Sequence, residues 1–304
     1  MARRKKGRPV SGWLILDKPY EMGSTQAVGK VRWLFDAKKA GHAGTLDPLA
    51  TGILPIALGE ATKTVPYVTD GDKSYRFTVR WGARTNTDDA EGEVITRSDA
   101  RPETAAIEAL LPRFVGEIEQ VPPPFSAIKI DGERAYARAR AGEAVELDPR
   151  PVFVESFSLV ACGDSDHATF EVTCGKGTYV RAFARDLGEA LGCHGHVRDL
   201  RRTFVDPFDE NDAISLDELT KLEGDLPALD ALLVPPLQAM DGFPEIKVSQ
   251  DDARRIRLGN AIILRGRDAP IEEEDVCAVH KGDLVAIGDV SRGEFQPKRV
   301  LSGA

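Results

Sequence analysis

The chain has 304 residues, 40 lysines and arginines against 49 aspartates and glutamates, a net charge of −9 and 42% apolar side chains. That length and apolar share fit one large domain plus a small one and exclude a chain disordered throughout. No apolar run reaches the roughly 20 residues of a membrane-crossing helix, and the basic start MARRKKGRPV leads into no apolar segment, so a cytoplasmic protein without leader or anchor is expected.

Residues 1–39 carry ten lysines and arginines against Asp17, Glu21 and Asp36. A positive face for a polyanion is therefore compatible with an acidic total, although residues 1–8 also read as a solvated basic tail. Residues 11–17 (SGWLILD) predict a short buried strand ended by Lys18-Pro19. Ser24 is predicted to N-cap a helix with Val28, Val31 and Leu34 on one face.

The most informative stretch is 41–63, GHAGTLDPLATGILPIALGEATK, which sets one acid, Asp47, in an apolar turn punctuated by Gly41, Gly44 and Gly52. Glycines turn the backbone where side chains clash, and Pro48 fixes φ directly after the acid, so the loop should be stiff. Leu46, Leu49, Ile53 and Leu54 predict a poorly hydrated floor, on which a carboxylate needs a cation or hydrogen-bond donors. The plain alternative is an ordinary Asp-Pro turn.

Further along, residues 74–80 (SYRFTVR) alternate as a strand with Tyr75, Phe77 and Val79 on one face, and TNTDDAEGEV follows as a loop. Residues 103–115 predict a helix ending near Gly116, and Pro122-Pro123-Pro124 marks a boundary. Residues 125–150 read as a strand, an Asp131-Gly132 turn and a helix enclosed by prolines, like an inserted flap with balanced charge. Residues 168–174 (ATFEVTC) alternate as a strand, Gly175-Lys176-Gly177 turns the chain, and a helix follows with Val180, Phe183, Ala184, Leu187 and Leu191 at helical spacing.

Arg181, at the start of that helix, is the natural counter-ion for Asp47, unless it and Arg185 only line a solvent face. The glycines beside Lys176 lack the phosphate-loop order, so no nucleotide cofactor is expected. Cys193, His194 and His196 crowd within four residues and have no evident fourth ligand, and the other cysteines, Cys162, Cys174 and Cys277, form no C-x-x-C pair. Neither a metal site nor a disulfide framework is therefore expected. Residues 205–241 hold ten acids against Lys221 alone, which accounts for the whole net charge. Pro235-Pro236 and 242–244 then read as a linker to a glycine-punctuated, β-rich tail over 245–304.

H-A-G-T-L-D-P-L-A-T-G and K-G-T-Y-V-R-x-x-x-x-D-L-G together resemble the signatures of the bacterial tRNA pseudouridine-55 synthases, the TruB family. The likeness runs from about Gly12 to Thr203 and departs from the family pattern at Ala43 and His194. It implies an α+β fold: a pseudouridine synthase core over residues 1–241 with a mixed, mainly antiparallel sheet flanked by helices, and a small PUA-like RNA-binding domain over 245–304. An RNA-gripping thumb loop would be inserted at about 121–150, with Arg134, Tyr136 and Arg138 as its contacts.

The resemblance makes Asp47 the essential aspartate, Arg181 its ion-pair partner, Tyr75 the ring stacked on the target uracil and Tyr179 a second tyrosine near it. Leu200 matches an apolar residue flanking the base, His42 a side chain that fills the space of a flipped base, and Lys18 a support of the site. Arg201 and Arg202 are candidates for phosphates or for intramolecular pairing. The implied reaction turns a uridine of the TψC loop of tRNA into pseudouridine, with no cofactor or metal, in a protein expected to be a monomer. Two alternatives stay open: a synthase guided by a separate RNA, and a tRNA-folding chaperone that needs no catalysis.

Overall fold

The computed structural model describes residues 7–126, 128–130, 132–143, 145–266 and 269–302, with the side chains of Arg134 and Arg140 outside that set. The chain divides into two compact units, one made of Met1–Asp47, Ile53–Thr69 and Asp206–Ala304, the other of Pro48–Gly52 and Asp70–Val205.

The second unit is built on a mixed sheet. Residues 50–52, at the start of the strand Ala50–Leu58, run parallel to Gly195–Val205, and the strands that continue the sheet from there pair antiparallel. From Gly195–Val205 the order continues through Lys73–Trp81, His167–Cys174, Arg150–Asp164 and Gly116–Gln120. Lys73–Trp81 keeps the predicted period of two, with Phe77, Val79 and Trp81 buried and Arg76 and Arg80 exposed. The helix Val180–Ala190 packs Val180, Phe183, Ala184 and Leu187 onto that apolar side. Phe77, Phe157, Phe170, Phe183 and Trp81 meet there in edge-on and tilted contacts, apart from the stacked Phe77–Phe170 pair. Each such ring contributes about 1.5–3 kcal/mol on burial, so this cluster is the main stabilising element of the unit.

Several strands were not foreseen, among them Ala50–Leu58, which lies inside the stretch read as a turn. Arg150–Asp164 has register shifts at Val154/Ser156 and Leu159/Ala161, which break the alternation a strand would show in sequence. Gly195–Val205 carries Arg198, Asp199, Arg201 and Arg202 and is bulged at two places, so its apolar pattern is masked. Gly116–Gln120 follows the short helix Thr104–Leu110 and the 3-10 turn Leu111–Phe114, where a single helix over 103–115 was expected.

Gln120 and Arg150 are direct partners in the antiparallel ladder. The segment between them leaves and re-enters the sheet at adjacent points, which is where an insertion disturbs a fold least. Within it lie the short hairpin of Lys129–Ile130 with Glu133–Arg134 and the helix Ala135–Arg140.

In the first unit the strand Gly12–Lys18 runs parallel to Ile214–Ser215, and Ala40–His42 pairs antiparallel with residues 56–58. The helix Ser24–Leu34 buries Ala27, Val31 and Leu34. Part of the acidic segment serves as helix caps: Ser215 with Glu218, Asp209 with Asp212, and Asp225. Residues 245–300 form a five-stranded sheet in the order Glu245–Lys247, Glu272–His280, Asp283–Ser291, Glu294–Val300 and Ile262–Ile263. The helix Gln250–Arg257, absent from the sequence reading, packs Ala253 and Ile256 on that sheet's core.

Candidate active site

The loop that ends at Asp47 is held by a serine. Ser24 Oγ accepts from the Leu46 N–H at 2.8 Å and donates to the Leu46 carbonyl at 2.9 Å, so both backbone groups of the residue before the acid are tied to the helix start. This corrects the expectation that Ser24 caps its own helix: the N-cap is Gly23, and no side-chain cap bond is made. The buried Ala43 donates its N–H to the Pro55 carbonyl at 3.0 Å, and Gly44 turns at φ +88°. Gly41 is an ordinary strand residue with open space at its Cβ position and needs no glycine. Leu46, Ile53 and Leu54 are buried and Asp47 is half-buried, in keeping with the apolar floor. Lys18, fully buried, donates to the Pro19 and Met22 carbonyls and so ties the turn between strand and helix. His42 sits half-buried opposite Ile56.

In the second unit, three sheet strands bring candidate residues side by side. Leu200, Arg201 and Arg202 pair with Ala50, Thr51 and Gly52 on one flank and with Phe77, Arg76 and Tyr75 on the other. Tyr75 and Leu200 are both half-buried against the aromatic cluster. Arg202 is sealed in the core at 1% exposure, opposite Tyr75 in the ladder, and burial lowers its pKa while Tyr75 opposes that shift. Of the two roles open to Arg202, this burial favours intramolecular pairing over a direct phosphate contact. Gly52 turns at φ +97°, and a Cβ there would lie 2.1 Å from the Arg202 carbonyl oxygen, so glycine is required by close approach.

The helix Val180–Ala190 begins at Tyr179, which occupies the N-cap position in an extended conformation and donates its N–H to Gln120 Oε1 at 2.8 Å. Arg181 and Arg185 are each only 6% exposed, so neither lines a solvent face. Arg181 donates to the carbonyls of Thr87 and Phe125 at 3.0 and 2.8 Å and stands 3.5 Å from Asp89 Oδ2. Arg185 donates to Asp88 Oδ2 at 3.2 Å, to Asp186 Oδ1 at 2.7 Å and to the Val121 carbonyl at 2.7 Å.

Burial pushes the Asp88 carboxyl up to about 6, against the pull of Arg185, Arg84 and Arg181. Burial also disfavours the Arg185 cation, but the hydrogen bond to Asp186 and the charges of Asp186 and Asp88 more than offset it. Sequence reasoning missed Asp88, Asp89 and Gln120. The only available signal was the acid pair in TNTDDAEG, which resembles any solvated loop.

His196 is buried, with Nδ1 2.9 Å from the Ala83 carbonyl oxygen. His194 adopts φ +57°, while a Cβ at Gly195 would come within 2.9 Å of the Ala184 carbonyl oxygen and 3.0 Å of the Trp81 ring. Helix-to-strand packing thus demands the glycine and leaves the left-handed turn to His194. In the insert Tyr136 is exposed and Arg138 pairs with Glu143 at 2.8 Å, while the Arg134 side chain lies outside the described residues.

Comparison with known proteins bears directly on this arrangement. The model of the TruB family pseudouridylate synthase N-terminal domain matches residues 32–180, and that of the tRNA pseudouridylate synthase B C-terminal domain matches 181–240. The chain belongs to the TruB family. It is thereby a tRNA pseudouridylate synthase, an isomerase. A tRNA pseudouridine synthase B of Agrobacterium fabrum is 58% identical over 98% of this chain and 97% of its own length. One from Brucella anthropi is 55% identical over 99% of both. Among solved structures, a Cbf5-Nop10-Gar1 complex aligns with a TM-score of 0.73 and 24% identity over 96% of this chain and 85% of that one. An H/ACA RNP bound to a substrate RNA containing 2'-deoxyuridine aligns at 0.73 and 20% identity over 100% and 92%. These two likenesses establish the pseudouridine synthase fold of this TruB chain.

Proposed function

We propose that this TruB-family chain isomerises uridine 55 in the TψC arm of tRNA to pseudouridine, with Asp47 as the acting carboxylate. The observation that carries the reading is the construction around that acid: the intact H-A-G-T-L-D-P-L-A-T-G loop, with both backbone groups of Leu46 tied by Ser24. Such a loop presents one carboxylate at a fixed place, which is what attack at the ribose or removal of a proton on the way to a glycal requires. The target base is extruded from the folded loop at a cost of a few kcal/mol. Stacking on Tyr75, at about 1–3 kcal/mol per base, offsets part of that cost. Tyr179 and Leu200 flank the base, His42 fills the space it leaves, and Arg181 is the cation the resemblance assigns to Asp47.

Residues 1–241 carry catalysis, with the insert over about 121–150 gripping RNA through Arg134, Tyr136 and Arg138, and 245–304 form a PUA-like RNA-binding domain. The enzyme acts as a monomer in the cytoplasm, without guide RNA or cofactor. Coverage of 97–99% of relatives that are themselves named tRNA pseudouridine synthase B favours this over guide-dependent action. Site mapping tests it. An unmodified tRNA transcript incubated with the protein alone is expected to acquire pseudouridine at position 55 only, and modification elsewhere, or only with an added guide RNA, overturns it.

A further inference from the structure

Three bonds tie the first limb of the insert to one short stretch of helix. Gln120 accepts from the Tyr179 N–H, the Val121 carbonyl from Arg185 Nη2, and the Phe125 carbonyl from Arg181 Nη2. The two arginines are one helical turn apart, and each also reaches the acidic loop that holds Thr87, Asp88 and Asp89. Arg185 spends all three guanidinium nitrogens, on Asp186, Asp88 and Val121.

A buried ion pair is a poor way to gain stability, because desolvation consumes most of the attraction, but its fork geometry fixes direction. Asp88 pays that desolvation at 2% exposure and in a left-handed backbone conformation, φ +61°. What the pair fixes is the Val121 carbonyl, the first residue after the strand from which the insert departs.

We propose that Arg185, held in orientation by Asp88, is a positioning residue for RNA capture, fixing the root of the 121–150 insert against the helix that carries Arg181. The inference rests on the reading that the insert grips RNA. A lysine at 185 keeps the charge but cannot serve Asp88, Asp186 and Val121 together, and an asparagine at 88 keeps the shape but removes the charge that orients the fork.

The test uses the full-length protein and a tRNA transcript, with equilibrium affinity, single-turnover rate at saturating tRNA, and melting temperature measured for Arg185→Lys, Asp88→Asn and the double variant. Each single variant is expected to raise the tRNA Kd about tenfold while the saturated rate stays within about twofold. The double variant should be no worse than the weaker-binding single one, because the two residues act as a unit. An unchanged Kd with a lower melting temperature makes the pair merely structural and overturns the proposal. So does a lower saturated rate at unchanged Kd, which would place the pair's effect at the reacting groups. Tyr136→Ala and Arg138→Ala separate the two levels: if neither weakens binding, the gripping role of the insert falls, and if they do while Arg185→Lys does not, only the role of Arg185 falls.

Discussion

Tyr75 and Arg202 stand opposite each other on the antiparallel strands Lys73–Trp81 and Gly195–Val205, a polar ring facing a buried cation. Burial pushes the Arg202 guanidinium below its ordinary pKa, and Tyr75 opposes that shift. Lys73, two residues before Tyr75, is likewise lowered, by burial first and then by the charge of Arg202.

Tyr75→Phe should therefore cost stability as well as activity. The phenol favours the buried Arg202 cation opposite it, and its loss should lower stability by about 1 kcal/mol or more, which urea denaturation will resolve. Because Arg202 is sealed in the core, Arg202→Gln should leave the salt dependence of tRNA binding unchanged, whereas loss of a phosphate contact would reduce that slope by about 1.

Gly52→Ala meets the Arg202 backbone from the other side. The substituted Cβ would overlap a carbonyl oxygen at a backbone angle that L-residues rarely adopt. A destabilisation of more than about 2 kcal/mol is expected, against the small gain that alanine brings at an unstrained site. A midpoint in urea equal to that of the parent protein would contradict the close approach.

Ser24→Ala removes both ties on Leu46 and leaves its backbone groups unpaired in a buried place. With a local penalty of about 1–3 kcal/mol, the single-turnover rate should fall by about tenfold or more. The tRNA Kd should hold, because the serine touches the loop backbone and presents nothing to RNA. Equal rates for variant and parent would show that the loop keeps its shape without the serine.

The Asp88 carboxyl titrates near 6 in the folded protein and near 3.8 when unfolded. A folded pKa above the unfolded one means that the native state binds the proton more tightly, so the stability contributed by this group is full below about pH 4 and is lost as pH rises to about 6. Asp88→Asn lacks the titration. Its stability relative to the parent should therefore climb between pH 4 and 6 and level off above, in urea titrations at each pH. A pH-independent difference would contradict the shift.

Much of the architecture is legible in the sequence where local pattern and tertiary role coincide. Phe77, Val79 and Trp81 alternate because one sheet face is core, and Val180, Phe183, Ala184 and Leu187 recur at helical spacing because one helix face packs there. The Asp47 loop stands out for a similar reason, with one acid among leucines and glycines. Residues with two competing uses are what escape. Ser24 has the pattern of a cap and is spent on Leu46, Arg202 has the pattern of a phosphate contact and is buried opposite Tyr75, and Arg185 looks solvated and is buried on three acceptors. Each choice depends on a partner distant in sequence, Leu46 for Ser24, Tyr75 for Arg202 and Val121 for Arg185, which no local window contains.

The measurement that bears most directly on the central claim is tritium release from tRNA carrying 5-³H-uridine, comparing the parent protein with Asp47→Asn at matched tRNA occupancy. Release by the parent alone, with the variant binding tRNA as tightly, is the predicted result. Release by the variant at the parent's rate would contradict the assignment of the chemistry to Asp47.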